Sequence, residues 1–486
     1  MLQAQKLSAA ALKYSGLNIE SLDNTVLATI INKKVENITA IKDYNHSLIS
    51  ESFIERKPHE FKRALQGNKR HFILECKKSS PSLGDFCPDF NLEKIVSCYN
   101  DRADAISVLT EEFFFKGSFE YLKQVRKLTE KPILCKDFII AKEQIEIAKK
   151  IGADAVLLML SVLTFDKFLE LYNFAKELNL DVLTEVANEA EAKFAVEHHI
   201  DIIGINNRNL HTLTIDLNNA KKLYPLFPKD TVVISESGIK THRDIVNMLP
   251  IKNFLIGSAL CSEIDIELKA NSLLYGFNKL CGLTDKAGIE TAINNKFSLA
   301  GLIFAPQSPR CINLDRAAKL ALNPIYKSKI NFCGVFKDAD LDTVVEIVTK
   351  LCLKFVQLHG KESPEYIKTL HEKCPKLTII KALGMSESLN NEDYLLFKEY
   401  AAKADLLLLD SKNPGSGKEF DKSLIPDFIN KDKTIISGGI GPSNIASILT
   451  LNFCGIDCNS CLESAPGKKD PELTRKLFDR INEIKE

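Results

Sequence analysis

Short, nearly continuous apolar runs alternate with amphipathic stretches of helical length along almost the whole chain. In the first half the runs are 71–75, 104–109, 132–137, 154–160, 181–185, 201–206, 231–236 and 253–258. Helical periodicity fills the intervals, most clearly at 118–129, 141–151, 165–178 and 188–198. A strand that is apolar on nearly every residue suits a parallel sheet covered on both faces. Eight strand-then-helix units are what a (β/α)8 barrel requires. The pattern then restarts at 278–282, 299–304, 331–336, 354–358, 377–382, 404–409, 433–437 and 455–459. Helical stretches stand among them at 339–351 and 470–483. Strands recur roughly every 25–30 residues, against ~8–12 in a sandwich. The predicted class is α/β, with two tandem (β/α)8 TIM barrels in one chain. The expected division is an N-terminal extension over 1–22, a first barrel over 23–275 and a second over 276–486. The seam falls in 270–277, and no Gly/Ser-rich linker marks it.

A doubly wound sheet would want G-x-G-x-x-G after an early strand, and none is present. Gly415-Ser416-Gly417-Lys418 invites comparison with a phosphate-binding P-loop. Lys412 and Glu419 stand where that motif needs Gly and Ser/Thr, so it is rejected.

Composition narrows the classes. A length of 486 residues fits two barrels of ~250 each. Lys+Arg and Asp+Glu are both 64, so bulk electrostatics does not direct the chain to nucleic acid or an anionic membrane. No apolar run approaches the ~20 residues of a membrane span. The patch Leu7 to Leu12 is too short for a signal peptide and is expected to be part of a leading extension. Thirteen scattered cysteines read as reduced thiols of a cytoplasmic protein, and Cys458/Cys461, the one C-x-x-C, as ordinary buried thiols. Tryptophan is absent, although there are 27 Phe and 11 Tyr.

The same punctuation closes each half. The first has Ser235-Glu236-Ser237-Gly238-Ile239 and then Ile256-Gly257-Ser258. The second has Ser437-Gly438-Gly439-Ile440 and then Cys458-Asn459-Ser460, at nearly the same interval. These are the loops after barrel strands seven and eight, the usual phosphate site. Glycine lets backbone N–H groups approach phosphate oxygens, and a following helix start adds a favourable dipole. Gly238, Gly257, Ser258, Gly438, Gly439, Asn459 and Ser460 are therefore expected to hold phosphate, one group per half.

Catalytic side chains of this fold project from the C-terminal strand ends. The first half puts Glu75 and Lys77, Lys136, Glu185, Asn206 and Glu236 there. Buried charge is costly unless paired, and such a set can both pair and move protons. The second half puts Cys281 at the end of its first strand, Arg310 after the second, Gln357 and His359 at the end of the fourth and Asp410 at the end of the sixth.

Six ordered motifs of the first half resemble the indole-3-glycerol-phosphate synthase family. They are Phe72 through Ser82 (FILECKKSSPS), Ile106 through Glu111, Cys135-Lys136-Asp137-Phe138, Leu183-Thr184-Glu185-Val186, Gly204 through Leu210, and Ser235 through Ile239. The likeness spans roughly 24–274, and Val26 to Ile38 looks like that family's extra helix. It implies closure of an indole ring from a carboxyphenylamino-deoxyribulose phosphate, with loss of CO2 and water. It also implies Lys136 as general acid, Glu185 in proton transfer, and Glu75 and Lys77 as orienting groups. Asn206 and Glu236 would bind hydroxyls, and Ser80, Pro81, Arg208 and Ser237 would contact substrate. Some relatives carry a basic residue where Ser79 stands, which leaves Arg208 as a candidate for the substrate carboxylate.

Residues 276–486 resemble phosphoribosylanthranilate isomerase through Lys279-Leu280-Cys281-Gly282-Leu283-Thr284, Pro414 through Asp421, and Glu463 through Pro466-Gly467. The likeness implies an Amadori rearrangement, with Asp410 as acid, Cys281 as base and Arg310 on the anthranilate carboxylate. Gln357 and His359 would contact substrate. Pro414 and Lys422 depart from the family pattern.

The implied reactions need no metal, flavin or nucleotide cofactor. The expected protein is a cytoplasmic monomer acting on phosphorylated small molecules, with no nucleic-acid or membrane partner. Two rival readings stay open on the residues alone. Lys136 could be a Schiff-base nucleophile of an aldolase, or one half could be only a phosphometabolite-binding module.

Overall fold

A computed structural model describes residues 3–50, 53–87, 90–209, 212–385, 390–411 and 421–483. Pro414 through Phe420, with the rejected glycine motif, and Leu210 lie outside the described residues. Two compact units emerge from the backbone contacts. One comprises Thr241–Val246 with Glu267–Glu483, the other the rest of the described chain.

The first unit holds a closed parallel barrel. Its strands are β1 (His71–Cys76), β2 (Ala105–Leu109), β3 (Ile133–Lys136), β4 (Ala155–Met159), β5 (Asp181–Val186), β6 (Ile202–Asn206), β7 (Val232–Glu236) and β8 (Asn253–Ile256). Each pairs with the next, and β8 returns to β1. All eight runs read from the sequence are strands. They are buried along nearly their whole length, as a sheet between a filled interior and surrounding helices must be. The expected helices appear as Phe119–Leu128, Lys142–Lys150, Phe165–Glu177 and Glu189–Glu197.

Four helices precede the barrel: α1 (Ala9–Lys13), α2 (Ile19–Leu22), α3 (Val26–Glu36) and α4 (Ile38–Ser47). The leading segment is packed rather than trailing, since Leu7, Ala11, Leu17 and Leu22 are buried. Thr25 caps α3 by accepting from the Ala28 N–H at 3.0 Å. Lys34 of α3 is buried and meets Asp137, the residue after β3, at 2.7 Å.

The second barrel runs through β9 (Lys279–Leu280), β10 (Leu299–Ile303), β11 (Asn331–Phe336), β12 (Phe355–Leu358), β13 (Thr378–Met385), β14 (Leu406–Ser411), β15 (Thr434–Ile436) and β16 (Gly455–Cys458). All eight expected strands are again present, and β16 closes on β9. Alternate residues of a strand face opposite ways. Leu280, Ala300, Leu302, Val356 and Leu409 join the large cluster under the helices. Leu299, Cys333, Phe355, Ile380, Leu408 and Ile435 form a separate one that fills the barrel. The same inward parity carries Lys279 and Cys281, Gln357 and His359, Asp410, and Asp457 and Asn459.

Candidate active sites

In the first barrel the register brings the charged residues to one level near the strand ends. Glu75 stands opposite Ser107, Lys136 opposite Leu109, Glu185 opposite Met159, and Asn206 opposite Glu236. Lys136 Nζ lies 2.9 Å from Glu75 Oε2 and 3.5 Å from Glu236 Oε2. Lys77 Nζ lies 3.2 Å from Glu75 Oε1, and Asn206 donates from Nδ2 to Glu185 Oε1 at 3.0 Å. Two glycines make room: a β-carbon at Gly204 would overlap Glu236 Oε1, and one at Gly257 would overlap Glu75 Oε1. Lys77, Glu75, Lys136 and Glu236 thus form one ionic chain, with the Glu185–Asn206 pair close enough to act on Lys136 electrostatically.

Burial alone would raise the Glu75 carboxyl, but Lys136 and Lys77 overcome it and hold it near 2. Burial pushes Glu236 up to about 8, since Lys136 only partly offsets it and Glu185 and Glu75 add repulsion. Glu185 is raised as well, by burial first. Burial works against charge on Lys136, yet Glu75, Glu236 and Glu185 outweigh it and raise its pKa. The site therefore pairs a firmly charged ammonium with one ionised carboxylate and two that hold protons readily.

Several supporting groups were not legible in the sequence. Tyr99 Oη and Cys261 Sγ both donate to the Glu75 carbonyl at 3.1 Å, anchoring the end of β1. Phe115 and Phe138 lie with ring centroids 6.0 Å apart, and Lys77 Nζ sits 5.4 Å over the Phe115 ring. The Glu111 carboxylate fixes that loop by accepting from the N–H groups of Phe113, Phe114 and Phe115. The Phe113-Phe114-Phe115 run after β2 was the available signal.

Ser237 and Gly238 both have positive φ, 66° and 90°. A non-glycine residue there is uncommon and points to a functional constraint. Ser80 is held in a tight hairpin, its Oγ accepting from the Leu83 N–H at 3.3 Å, and Pro81 follows in the turn. Arg208 Nη1 donates to Leu213 O at 3.0 Å, and the side chain lines a cavity of about 480 Å³ with Asn206, Asn188, Glu191 and Asp216.

The second barrel opens a cavity of about 340 Å³. It is lined by Cys281, Arg310, Gln357, His359, Asp410, Gly438, Gly439, Asn459 and Ser460, all expected site residues. Burial raises Asp410 to about 6, with Asp457 adding repulsion and the Ser411 N–H opposing. His359 Nε2 lies 3.6 Å from Asp410 Oδ2, and Nδ1 faces Gln357 Nε2 at 2.7 Å. Burial and the nearby lysines 279, 381 and 337 hold His359 neutral, down at about 3. Cys281 is raised above an ordinary thiol by burial, with Lys279 opposing.

Arg310 differs from the simple expectation. Its Nε and Nη2 are bidentate on Glu463, at 3.0 and 2.8 Å, so only the Nη1 edge is left for a ligand. Lys469 shares that carboxylate at 2.7 Å and also donates to Asn459 Oδ1 at 2.8 Å. Gly438 and Gly439 have φ of 94° and 67°, which favours glycine. The helix starts expected beside the phosphate loops are small: a four-residue helix at Ser258–Cys261 and a three-residue 3-10 turn at Ser460–Leu462. Little macrodipole can build up in so few peptides, so loop N–H groups are the main donors there. Among the described residues, no group of three or more His, Cys, Asp or Glu is arranged to hold a metal ion. No described helix is long and apolar enough to cross a membrane.

Two barrels, each with its charged strand ends beside a glycine cradle, define a two-site enzyme for phosphorylated small molecules. The family described as indole-3-glycerol phosphate synthase matches residues 27–273, and that described as N-(5'phosphoribosyl)anthranilate (PRA) isomerase matches 278–480. "Tryptophan biosynthesis protein TrpCF" of Vibrio cholerae is 40% identical over 94% of this chain and 96% of its own length. The protein of that name from Vibrio parahaemolyticus is 41% identical over 94% of each, and that from Buchnera aphidicola subsp. Schizaphis graminum 39% over 95% and 100%. The chain belongs to this family of fused synthase–isomerase proteins.

Proposed function

We propose that the two barrels perform consecutive steps of tryptophan biosynthesis, with the residue roles that follow. The second barrel takes N-(5-phosphoribosyl)anthranilate. Asp410 protonates the furanose oxygen as the C1′–O bond breaks, and Cys281 removes the C2′ proton. The resulting enolamine tautomerises to 1-(2-carboxyphenylamino)-1-deoxyribulose 5-phosphate. Support comes from a carboxyl raised to about 6 in the same cavity as the thiol, since an acid must hold its proton before it can donate it. Arg310 meets the anthranilate carboxylate through its Nη1 edge, and Gly438, Gly439, Asn459 and Ser460 take the phosphate. Gln357 sets the tautomer of His359 beside Asp410.

The first barrel closes the indole ring on that product. Lys136 protonates the ketone oxygen as the ring carbon attacks, CO2 leaves, and a second proton releases the hydroxyl as water. Glu185 accepts the proton lost from the methylene carbon. Lys77 and the Phe115–Phe138 rings bracket the anthranilate ring, Ser80, Pro81 and Arg208 border the substrate, and Asn206 and Glu236 bind its hydroxyls. Ser237, Gly238, Gly257 and Ser258 take the phosphate. The observation that carries this reading is the 2.9 Å contact of Lys136 with Glu75. It favours a permanent ammonium acid over the free amine that Schiff-base chemistry needs. The chain is taken to work as a cytoplasmic monomer, and residues 1–22, 23–275 and 276–486 as extension, synthase and isomerase. Purified protein given phosphoribosylanthranilate should form the ribulose phosphate and then indole-3-glycerol phosphate. Absence of both products from folded protein would overturn the assignment.

A further inference from the structure

The isomerase reading leaves a difficulty. Cys281 must act as a thiolate, yet it is buried and the neighbouring histidine is neutral, so the usual Cys–His pairing is not available. We infer that Lys279 is the positioning residue that favours the thiolate of Cys281, sharing one buried ammonium between Asp457 and the cysteine sulfur.

The geometry starts in the strand. Lys279 and Cys281 are two residues apart, so both point into the barrel. The Lys279 side chain is completely buried, and its Nζ donates to Asp457 Oδ2 at 2.8 Å. An ammonium has three N–H donors, so this bond leaves two. The facing strand holds Gly301, where a β-carbon would lie 2.9 Å from Cys281 Sγ and 3.1 Å from Lys279 Cε. Sulfur and lysine chain thus border one gap that only glycine keeps open. Burying a lysine is costly unless its charge is met, and Asp457 takes only one of its three N–H donors.

Charge balance points the same way. The charged groups facing the sulfur or linked to its neighbours are Lys279 and Asp457, Lys469 and Glu463, and Arg310. With Asp410 in its protonated working form, these groups are three cations against two anions before the thiol ionises, and a thiolate narrows the difference. Cys333 of β11 also faces Lys279, but burial and Cys281 keep it a thiol, at about 12. Lys337, Asp410 and His359 line the same cavity; Lys337 adds a cation, Asp410 an anion where it is ionised, and His359, held neutral, no charge. Asp457 competes with the sulfur for the ammonium, and its Oδ1 has no hydrogen-bond partner among the described residues. Lys279 and Asp457 should therefore affect the thiol in opposite directions.

This inference rests on Cys281 as the base, but its test does not use turnover. In the full chain, the alkylation rate of Cys281 by iodoacetamide is followed from pH 6 to 10 by peptide-resolved mass spectrometry. Lys279→Met should move the inflection upward by at least about one pH unit and slow alkylation about tenfold near neutrality. Asp457→Asn should move it downward and speed alkylation there. Lys279→Arg should stay close to the parent and serves if the methionine variant does not fold. A parental inflection in Lys279→Met, an upward move in Asp457→Asn, or an Arg variant that behaves like a folded Met variant would overturn the inference. Failure of the base assignment is distinguishable: Cys281→Ser would then keep isomerase activity, whatever the alkylation profiles show.

Discussion

Lys136 Nζ sits 2.9 Å from Glu75 Oε2, although 61 positions separate the two residues and β2 stands between their strands. The pair fixes the ammonium at the centre of the synthase site. Glu75→Gln removes the strongest counter-charge and frees the lysine to turn toward Glu236. Synthase kcat should fall by about 10²–10³-fold, the scale of a misplaced general acid, with isomerase kcat unchanged in the same preparation. Steady-state assays of each reaction check this.

Isomerase activity should depend on pH through two groups in unusual order. Asp410 titrates near 6 and Cys281 above an ordinary thiol, yet the working form has a protonated Asp410 and an ionised Cys281. That form carries the same number of protons as the dominant ionised-Asp, neutral-thiol form. kcat/KM should therefore rise with pH to about 6, hold a plateau, and fall where the thiol titrates. A profile that falls as pH rises through 6 would contradict the assignment of both groups.

The raised Glu236 gives a stability prediction. Its folded pKa, about 8, lies above its unfolded value, so folding takes up a proton between the two. The contribution is fully favourable below the unfolded value and is lost as pH rises toward 8. Glu236→Gln removes that loss. The thermal midpoint of the variant relative to the parent should thus increase from pH 5 to pH 8, as calorimetry would show.

Lys34 and Asp137 form a buried pair between α3 and the end of β3, beside Lys136. Lys34→Met leaves a buried carboxylate without its cation and should destabilise the synthase unit by about 3–5 kcal/mol. The double variant Lys34→Met/Asp137→Asn should recover most of this, as the stray charge is gone. Urea titrations of the three variants measure it; no recovery would mean that the pair is not the source.

How much of this was readable from the chain depends on range. All sixteen strands announced themselves, because a strand buried on both faces must be apolar nearly throughout, and that signal is local. The strand-end residues followed from counting. What could not be read were pairings decided by closure. Arg310 meets Glu463, and Lys279 meets Asp457, across more than 150 residues of chain. The ion pair that turns Arg310 mostly away from a ligand has no trace in local pattern. The leading segment looked like an extension because its apolar patch is short, yet Leu7, Ala11, Leu17 and Leu22 are buried in it. Tyr99 and Cys261 are core residues that also fix the Glu75 carbonyl, a contact with no local signal.

The central claim is two independent sites in one chain. Its most direct measurement is product-resolved turnover of phosphoribosylanthranilate by the parent, Lys136→Ala and Cys281→Ser. Having no tryptophan, the chain adds no indole fluorescence of its own, so the indole product is read directly. Lys136→Ala should accumulate the ribulose phosphate and make no indole product. Cys281→Ser should make almost none from phosphoribosylanthranilate, yet convert supplied ribulose phosphate at the parental rate. Loss of both activities in either folded variant would contradict the account.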